Sequence, residues 1–313
     1  MYRYIVKRIL FLIPTILGVA FIIYFVLNLT PGNPGRSILG ANASQEAVDQ
    51  LNEELGYNDP LLVKYVTYMK NLVLEGDFGT SYFTKQPVMN EVLPRFWVTL
   101  QLSIIGIIIS TLVGVPLGML TAVKQYSAWD YIPSILAFLL AAIPSFVLGM
   151  VLLLVFSLKL NLLPSYGLDT WDAYIMPSLC MAIPITAFNV RFTKSSMLES
   201  IRADYIDTAR AKGATERTVI WKHALKNALL PVITNIGLNM GGLIMGAVVS
   251  ERLFSVPGIG ALIVDRINYK DEPVIIAGTI VISITFTIIM LIVDIIYAYV
   301  DPRIKAKYTR IKG

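Results

Sequence analysis

Charge is scarce in this chain. Of 313 residues only 15% are Asp, Glu, Lys or Arg, while 56% are hydrophobic; a typical soluble domain is roughly a quarter charged. A long soluble chain with that balance would expose apolar surface it had no means to bury, so the composition points to a protein that faces lipid. Cysteine is nearly absent. Cys180 stands alone inside an apolar stretch, which excludes a disulfide framework and a cysteine-based metal site and reads as a small core residue. Histidine is equally sparse. His223 has no second histidine to form a His-x-x-x-His pair, and no Gly-x-Ser-x-Gly turn occurs, so protease and metal-hydrolase chemistry lacks its parts. The Gly-x-x-x-x-Gly-Lys-Ser/Thr nucleotide loop is missing too, and this chain is not expected to hydrolyse ATP.

What is present is a set of long uncharged runs. A bilayer core needs about 20 apolar residues as a helix, because every backbone polar group must be satisfied internally. Six stretches qualify: Ile9 to Leu29, Phe96 to Val123, Tyr131 to Leu158, Ala173 to Val190, Asn227 to Ser250, and Pro273 to Val300, the last broken only by Asp294. The first has 21 uncharged residues behind Arg3, Lys7 and Arg8. That exceeds a secretory signal core of roughly 7–15 residues, so it is read as a retained anchor. The fold class expected is an all-α integral membrane protein with six transmembrane helices.

The net charge of +5 is not gathered into a nucleic-acid patch; the basic residues lie in short segments between apolar runs, as in membrane proteins. Residues 30–95 hold five basic and eight acidic residues, and residues 191–226 hold eight and four. The tail carries Arg303, Lys305, Lys307, Arg310 and Lys312 against Asp301, whereas 251–272 is net negative. By the excess of lysine and arginine, both termini and 191–226 face the cytoplasm. An even number of spans agrees.

Four regions follow: residues 1–29, an extracytoplasmic subdomain 30–95, a five-helix core 96–300 containing the loop 194–226, and a tail 301–313. The outer stretch opens on Thr30-Pro31-Gly32-Asn33-Pro34-Gly35, a dense turn signal. Helices are expected from Ser44, an N-cap, to Leu55 and from Pro60 to Leu74. Residues 30–95 serve either as a packed cap or as a docking surface for an external partner. In the inner loop, good helix formers run to Lys212 and Gly213 ends them, with Arg210 and Lys212 in the last turn, where they complement the helix dipole. The result is a short surface helix gripped at both ends by spans, in effect a handle. No internal repeat or low-complexity segment is evident.

The run Asp207-Thr208-Ala209-Arg210-Ala211-Lys212-Gly213 resembles the EAA loop of ABC-importer permeases, Glu-Ala-Ala followed after three residues by Gly. His223-Ala224-Leu225-Lys226-Asn227-Ala228-Leu229-Leu230-Pro231 is similar to the form this loop takes in the dipeptide, oligopeptide and nickel permeases. So are Tyr4-Ile5-Val6-Lys7-Arg8 with Ile13-Pro14-Thr15, the stretch Glu251 to Gly260, and Asp301-Pro302-Arg303-Ile304. The large loop after the first span resembles that of the "B" member of the permease pair. Asp207 stands for Glu, Thr208 for the first Ala, and Lys226 where many importers place a proline, here displaced to Pro231. These departures are familiar in the peptide subfamily and narrow the assignment.

The resemblance implies a type I importer permease in the bacterial inner membrane. A homologous second permease would complete the pathway, two ATPase subunits would bind ATP and Mg2+, and an extracellular binding protein would deliver cargo. No cofactor or metal is expected on this chain and no nucleic acid; its only other partner is lipid. On that model Tyr205, Asp207, Thr208, Ala209, Arg210, Lys212 and Gly213 couple to the ATPase or shape the turn. Glu251, Phe254, Pro257, Gly258 and Gly260 belong to a segment that resembles an outer gate, the other reading being a plain connecting turn. Di- or oligopeptides come first as cargo, nickel or a metal chelate second.

Competing classes fit less well. An ATP-independent transporter needs several intramembrane charges or two related halves, and an intramembrane enzyme needs a nucleophile with its base; this sequence offers one deep acid, Asp294. Asp294 lies roughly 10 Å of helix rise from Asp301, and a structural pairing near the interface, for instance with Arg191, is favoured over ion binding. Gly114 and Gly118 form a Gly-x-x-x-Gly that allows close helix packing.

Overall fold

A computed structural model describes residues 2–300; the tail 301–313, with the Asp301 to Ile304 motif, lies outside them. Among the described residues the chain is helical throughout, with a single isolated β-bridge between Thr80 and Pro87. The order is α1 (Tyr2–Leu29), α2 (Pro34–Leu39), α3 (Gln45–Glu54), α4 (Leu61–Glu75), α5 (Val88–Val123), α6 (Ala128–Ala142) and α7 (Ser145–Leu152). A π-helical turn, Leu153–Lys159, and a 3-10 turn, Trp171–Tyr174, lead to α8 (Ile175–Ile201) and α9 (Asp204–Ala211). Then come α10 (Glu216–Thr218), a second π-helical stretch Val219–Ala224, α11 (Leu225–Gly246), α12 (Val248–Leu253), α13 (Ile259–Asn268) and α14 (Glu272–Val300).

Among the described residues, five helical stretches are long and apolar enough to cross a membrane: Leu10–Leu29, Val88–Val123, Trp171–Ile201, Glu216–Leu253 and Glu272–Ile296. The run expected to form an uninterrupted third span is instead a bent pair, Ala128–Ala142 and Ser145–Lys159, turned through 100°. It makes the sixth span if the pair counts as one. The cause is local. Ile143 is extended (φ −80°, ψ 122°) ahead of Pro144, as the ring of a following proline demands, and Pro144 then starts α7 as its N-cap.

Chain contacts divide the molecule into two compact units. The first holds the chain start through Tyr4, Gln101–Val256 and, from Ile288, the end of α14. Here α5 reverses the pattern of a soluble helix: Ser103 and Ser110 are fully buried, while Ile104, Ile108 and Leu112 form an exposed stripe one turn apart. That stripe suits lipid. Gly114 and Gly118 let α5 meet α8 at backbone distance, since a Cβ at 118 would stand 2.6 Å from the Val190 carbonyl oxygen and one at 114 would stand 2.9 Å from that of Thr186. Asp130 at the start of α6 pairs with Lys194 of α8. Asn189 Oδ1 accepts from Asn235 Nδ2 at 3.0 Å and Asn239 Nδ2 at 3.1 Å, joining α8 to α11.

The second unit holds Ile5–Leu100 and Pro257–Thr287. Ser44 caps α3 as expected, its hydroxyl accepting from the Ala47 N–H at 3.3 Å. The turn signal before it conceals α2, which Asn33 caps and Pro34 opens, a combination suited to a helix start. Ala20 and Tyr24 of α1 pack with Tyr68 and Met69 of α4 and with Ile276 and Ile280 of α14. Residues 257–272, read as an outer connection that is either gate-like or a plain turn, contain α13, whose Ile259 and Leu262 pack on Val88, Val92 and Phe96 of α5 and on Val274 and Ala277 of α14.

Candidate functional site

The inner loop lies wholly within the first unit. After α8 ends at Ile201, Ala203 turns the chain and α9 begins with Asp204 and Asp207 in its first turn and Arg210 in its last, each sign at the pole of the helix dipole it stabilises. Ile206 and Ala209, three residues apart, are the buried face of α9. They pack with Ala122 of α5, Met197 of α8, Val219 and Ala224 of the π-helical stretch, and Ala228 of α11. The remaining residues of α9, with Lys212 and Gly213, are exposed.

The end of α9 is closed by its own backbone. Ala214 N–H donates to the Ala209 carbonyl at 3.2 Å and Gly213 N–H to the Arg210 carbonyl at 2.9 Å, the paired bonds of a Schellman motif. Gly213 takes the left-handed φ of +81° that this motif needs, and a Cβ there would have no heavy atom within 4 Å. Arg210 is held from two sides. Its Nε lies 2.7 Å from Glu216 Oε1, and its Nη1 lies 3.2 Å from Asp207 Oδ1. Hydrogen bonding to Glu216, followed by that to Asp207, raises the pKa of this guanidinium above its ordinary value. Thr208 donates to the Asp204 carbonyl at 3.2 Å. Tyr205 is 42% exposed while its hydroxyl reaches Ser200 Oγ at 2.6 Å.

The arrangement brings Tyr205, Asp207, Thr208, Arg210, Lys212 and Gly213 onto one exposed surface and turns Ala209 inward. It contains no nucleophile with a base, and no metal-binding group of His, Cys, Asp or Glu occurs among the described residues. What it offers is a mixed-charge surface helix packed on α5, α8 and α11.

The candidate outer residues are each held within their own unit. In the first, Glu251 is fully buried and its carbonyl accepts from the Val256 N–H at 2.7 Å. Phe254 is 1% exposed, and its carbonyl accepts from the Gly167 N–H at 3.1 Å. In the second, Gly258 is the N-cap of α13 and Gly260 is buried in its first turn. Ile259 N–H donates to Thr99 Oγ1 at 2.9 Å, and Pro257 is exposed.

Besides the Asp130–Lys194 pair, sequence reasoning missed three polar constellations. One is the Asn189–Asn235–Asn239 cluster. The second unit holds the others: Lys64 with Glu272, and Arg266, which pairs with Glu91 at 2.6 Å beside Asp271. Asp271 in turn accepts from Ser81 Oγ at 2.5 Å and Tyr82 N–H at 2.9 Å. Lys270 donates to the carbonyls of Leu27 and Thr30, and burial lowers its pKa. A charge at the mouth of an apolar run was the signal available, but its partner could not be read.

Several apolar helices, polar residues turned inward and an exposed helix slung between two spans define a multi-pass membrane transport subunit. The comparisons narrow this. Residues 114–306 match the model of the binding-protein-dependent transport system inner membrane component family, and residues 1–103 match that of the N-terminal part of such membrane components. The chain belongs to this family: it is a permease, the pore subunit of an ABC importer of the peptide type in the bacterial inner membrane, and not an enzyme.

Among its relatives is the dipeptide transport system permease protein DppB of Alkalihalophilus pseudofirmus, 40% identical over 97% of this chain and 100% of that protein. Another is the glutathione transport system permease protein GsiC of Salmonella typhimurium, 40% identical over 98% and 100%; GsiC of Escherichia coli is 38% identical over the same shares. Of solved structures, an inward-facing form of the MetNI methionine ABC transporter matches with a TM-score of 0.56 at 20% identity, over 68% of this chain and 97% of that one. An amino acid ABC transporter with histidines matches with a TM-score of 0.51 at 14% identity, over 67% and 94%. These likenesses are of fold.

Proposed function

We propose that this permease moves short peptides inward across the membrane and that α9 is the helix through which ATPase subunits drive it. The observation that carries the reading is the two-sided character of α9. Its Ile206 and Ala209 are locked onto three spans, while Tyr205, Asp207, Thr208, Arg210, Lys212 and Gly213 are presented outward. A body pressing on that surface displaces α8 and α11 with it. Both termini and α9 face the cytoplasm in this reading, which counts the bent α6–α7 pair as one crossing.

A homologous second permease completes the pathway. ATP and Mg2+ are bound by two ATPase subunits, one against each permease, and a binding protein delivers cargo to the outer face. Glu251, Phe254, Pro257, Gly258 and Gly260 contribute to the outer closure. The relatives are named for a dipeptide and for glutathione, and both are short chains of amide bonds. Peptides of two or three residues are accordingly the cargo class assigned.

Purification from native membranes in mild detergent, with mass spectrometry of the co-purifying chains, tests this. A second permease, ATPase subunits and a binding protein that takes up di- or tripeptides in calorimetry are the expected result. A chain that transports alone or as a homo-oligomer sinks the docking role of α9.

A further inference from the structure

We infer that the hydrogen-bonded relay Tyr205–Ser200–Ala224, with Ser196–Ala228 as a parallel rung one turn away, transmits displacement of α9 into both flanking spans, an inference that rests on the docking role proposed for α9. Ser196 and Ser200 stand one turn apart on α8, and both are buried. Ser196 Oγ donates to the Ala228 carbonyl at 2.8 Å, and Ser200 Oγ donates to the Ala224 carbonyl at 2.8 Å. The two acceptors are also four residues apart, so the rungs are in register. A backbone carbonyl has two lone pairs and accepts such a second donor alongside any helical bond.

The direction of the third bond follows from proton count. Ser200 has one hydroxyl proton, and it goes to the Ala224 carbonyl, which can only accept. The 2.6 Å contact between Ser200 Oγ and the Tyr205 hydroxyl therefore has Tyr205 as its donor. The chain runs from α9 through α8 to the start of α11, and bonds in series polarise one another.

Two features make this a transmission rather than a brace. The rung from Ser200 lands on Ala224, the last residue of the π-helical stretch Val219–Ala224. A π-helical turn has an α-helical alternative one residue out of register, and such turns are frequent at functional sites. The relay also borders a cavity of about 330 Å³ lined by Ser196, Glu199, Ser200, Ala203, Tyr205 and Asn227, which leaves these groups room to move. Apolar packing of Ile206 and Ala209 resists separation but is non-directional. The relay adds directional bonds to that hold and fixes the line along which a displacement is passed on.

The test uses the complete importer in proteoliposomes, read as cargo taken up per ATP hydrolysed and as the melting temperature of the purified complex. Tyr205→Phe keeps the ring and removes one hydroxyl; Ser200→Ala removes the next. Each is expected to lower the uptake ratio about fivefold, the weight of one hydrogen bond. The double variant should be no worse than either single, because both break one chain, and Ser200→Thr should retain the ratio.

Unchanged ratios with the ATPases bound overturn the relay, as do losses that add in the double variant. Losses that only track a fall in melting temperature mark a structural role and overturn it too. Should Ser200→Ala fail to assemble, Tyr205→Phe decides alone. Failure of the unsubstituted chain to bind ATPase subunits is a separate result, seen before any variant is made, and it removes the docking role itself along with the relay.

Discussion

Lys64 Nζ lies 3.1 Å from Glu272 Oε1 across 208 residues of chain, and the two side chains are only 7% and 1% exposed. A buried pair of this kind is strong evidence of mutual dependence and weak evidence of net stabilisation, because desolvation offsets most of the attraction. Lys64→Ala is expected to destabilise the protein by about 3–5 kcal/mol, since it strands a buried carboxylate. The double change Lys64→Met with Glu272→Leu should restore most of the loss. Melting temperatures in mild detergent measure both; a double variant as unstable as the single one would refute the pairing argument.

Gly213 tests backbone against surface. With φ at +81° and no atom within 4 Å of a Cβ, Gly213→Ala should lower stability by about 1 kcal/mol through conformation alone, and Gly213→Asn by less. Gly213→Trp carries a similar backbone penalty and adds a bulky ring to the outward face of α9. The expected outcome is a protein inserted in the membrane whose ATP hydrolysis no longer drives uptake. Normal uptake by that variant, in reconstituted vesicles, removes Gly213 from the docking surface.

Close approach of α5 to α8 makes a paired prediction. Gly118→Leu pushes against the Val190 backbone, 2.6 Å from the new Cβ, and should cost about 1–3 kcal/mol, the range for overpacking. Gly242→Leu on α11 meets nothing within 4 Å and should be close to neutral. Equal melting temperatures for the two variants would contradict the packing described.

Asn189→Leu leaves the amide donors of Asn235 and Asn239 without the oxygen that accepts them both. A buried donor stranded in this way costs about 1–3 kcal/mol. Replacing all three asparagines with leucine should recover part of the loss, which a thermal melt of the single and triple variants will show.

Residues differ in how much of this could be read beforehand. The spans on α1, α5, α8, α11 and α14 were legible because length and apolarity suffice to specify a helix in lipid. The bend at Pro144 was not. Pro14, Pro133, Pro184 and Pro231 sit inside helices that continue past them, and no local signal separates those positions from the one where the chain turns. The end of α9 was legible because Gly213, Lys212 and Arg210 carry it within one turn. The helix α13 was hidden in a stretch read by its net charge. Pairings such as Lys64 with Glu272, Arg266 with Glu91, and Asn189 with Asn235 were invisible for a simpler reason: each depends on which distant segment the fold delivers, and no spacing rule encodes that. For the same reason the inward bond between the Tyr205 hydroxyl and Ser200 could not be read.

The double hold on Arg210 has a kinetic consequence. Because Asp207 and Glu216 both bond the guanidinium, the docking role proposed for α9 would present this cation with part of its rotamer freedom already spent. Recognition there becomes a matter of moulded shape rather than of search. In the docking role proposed for α9, the motor seats against a surface whose shape is set before contact.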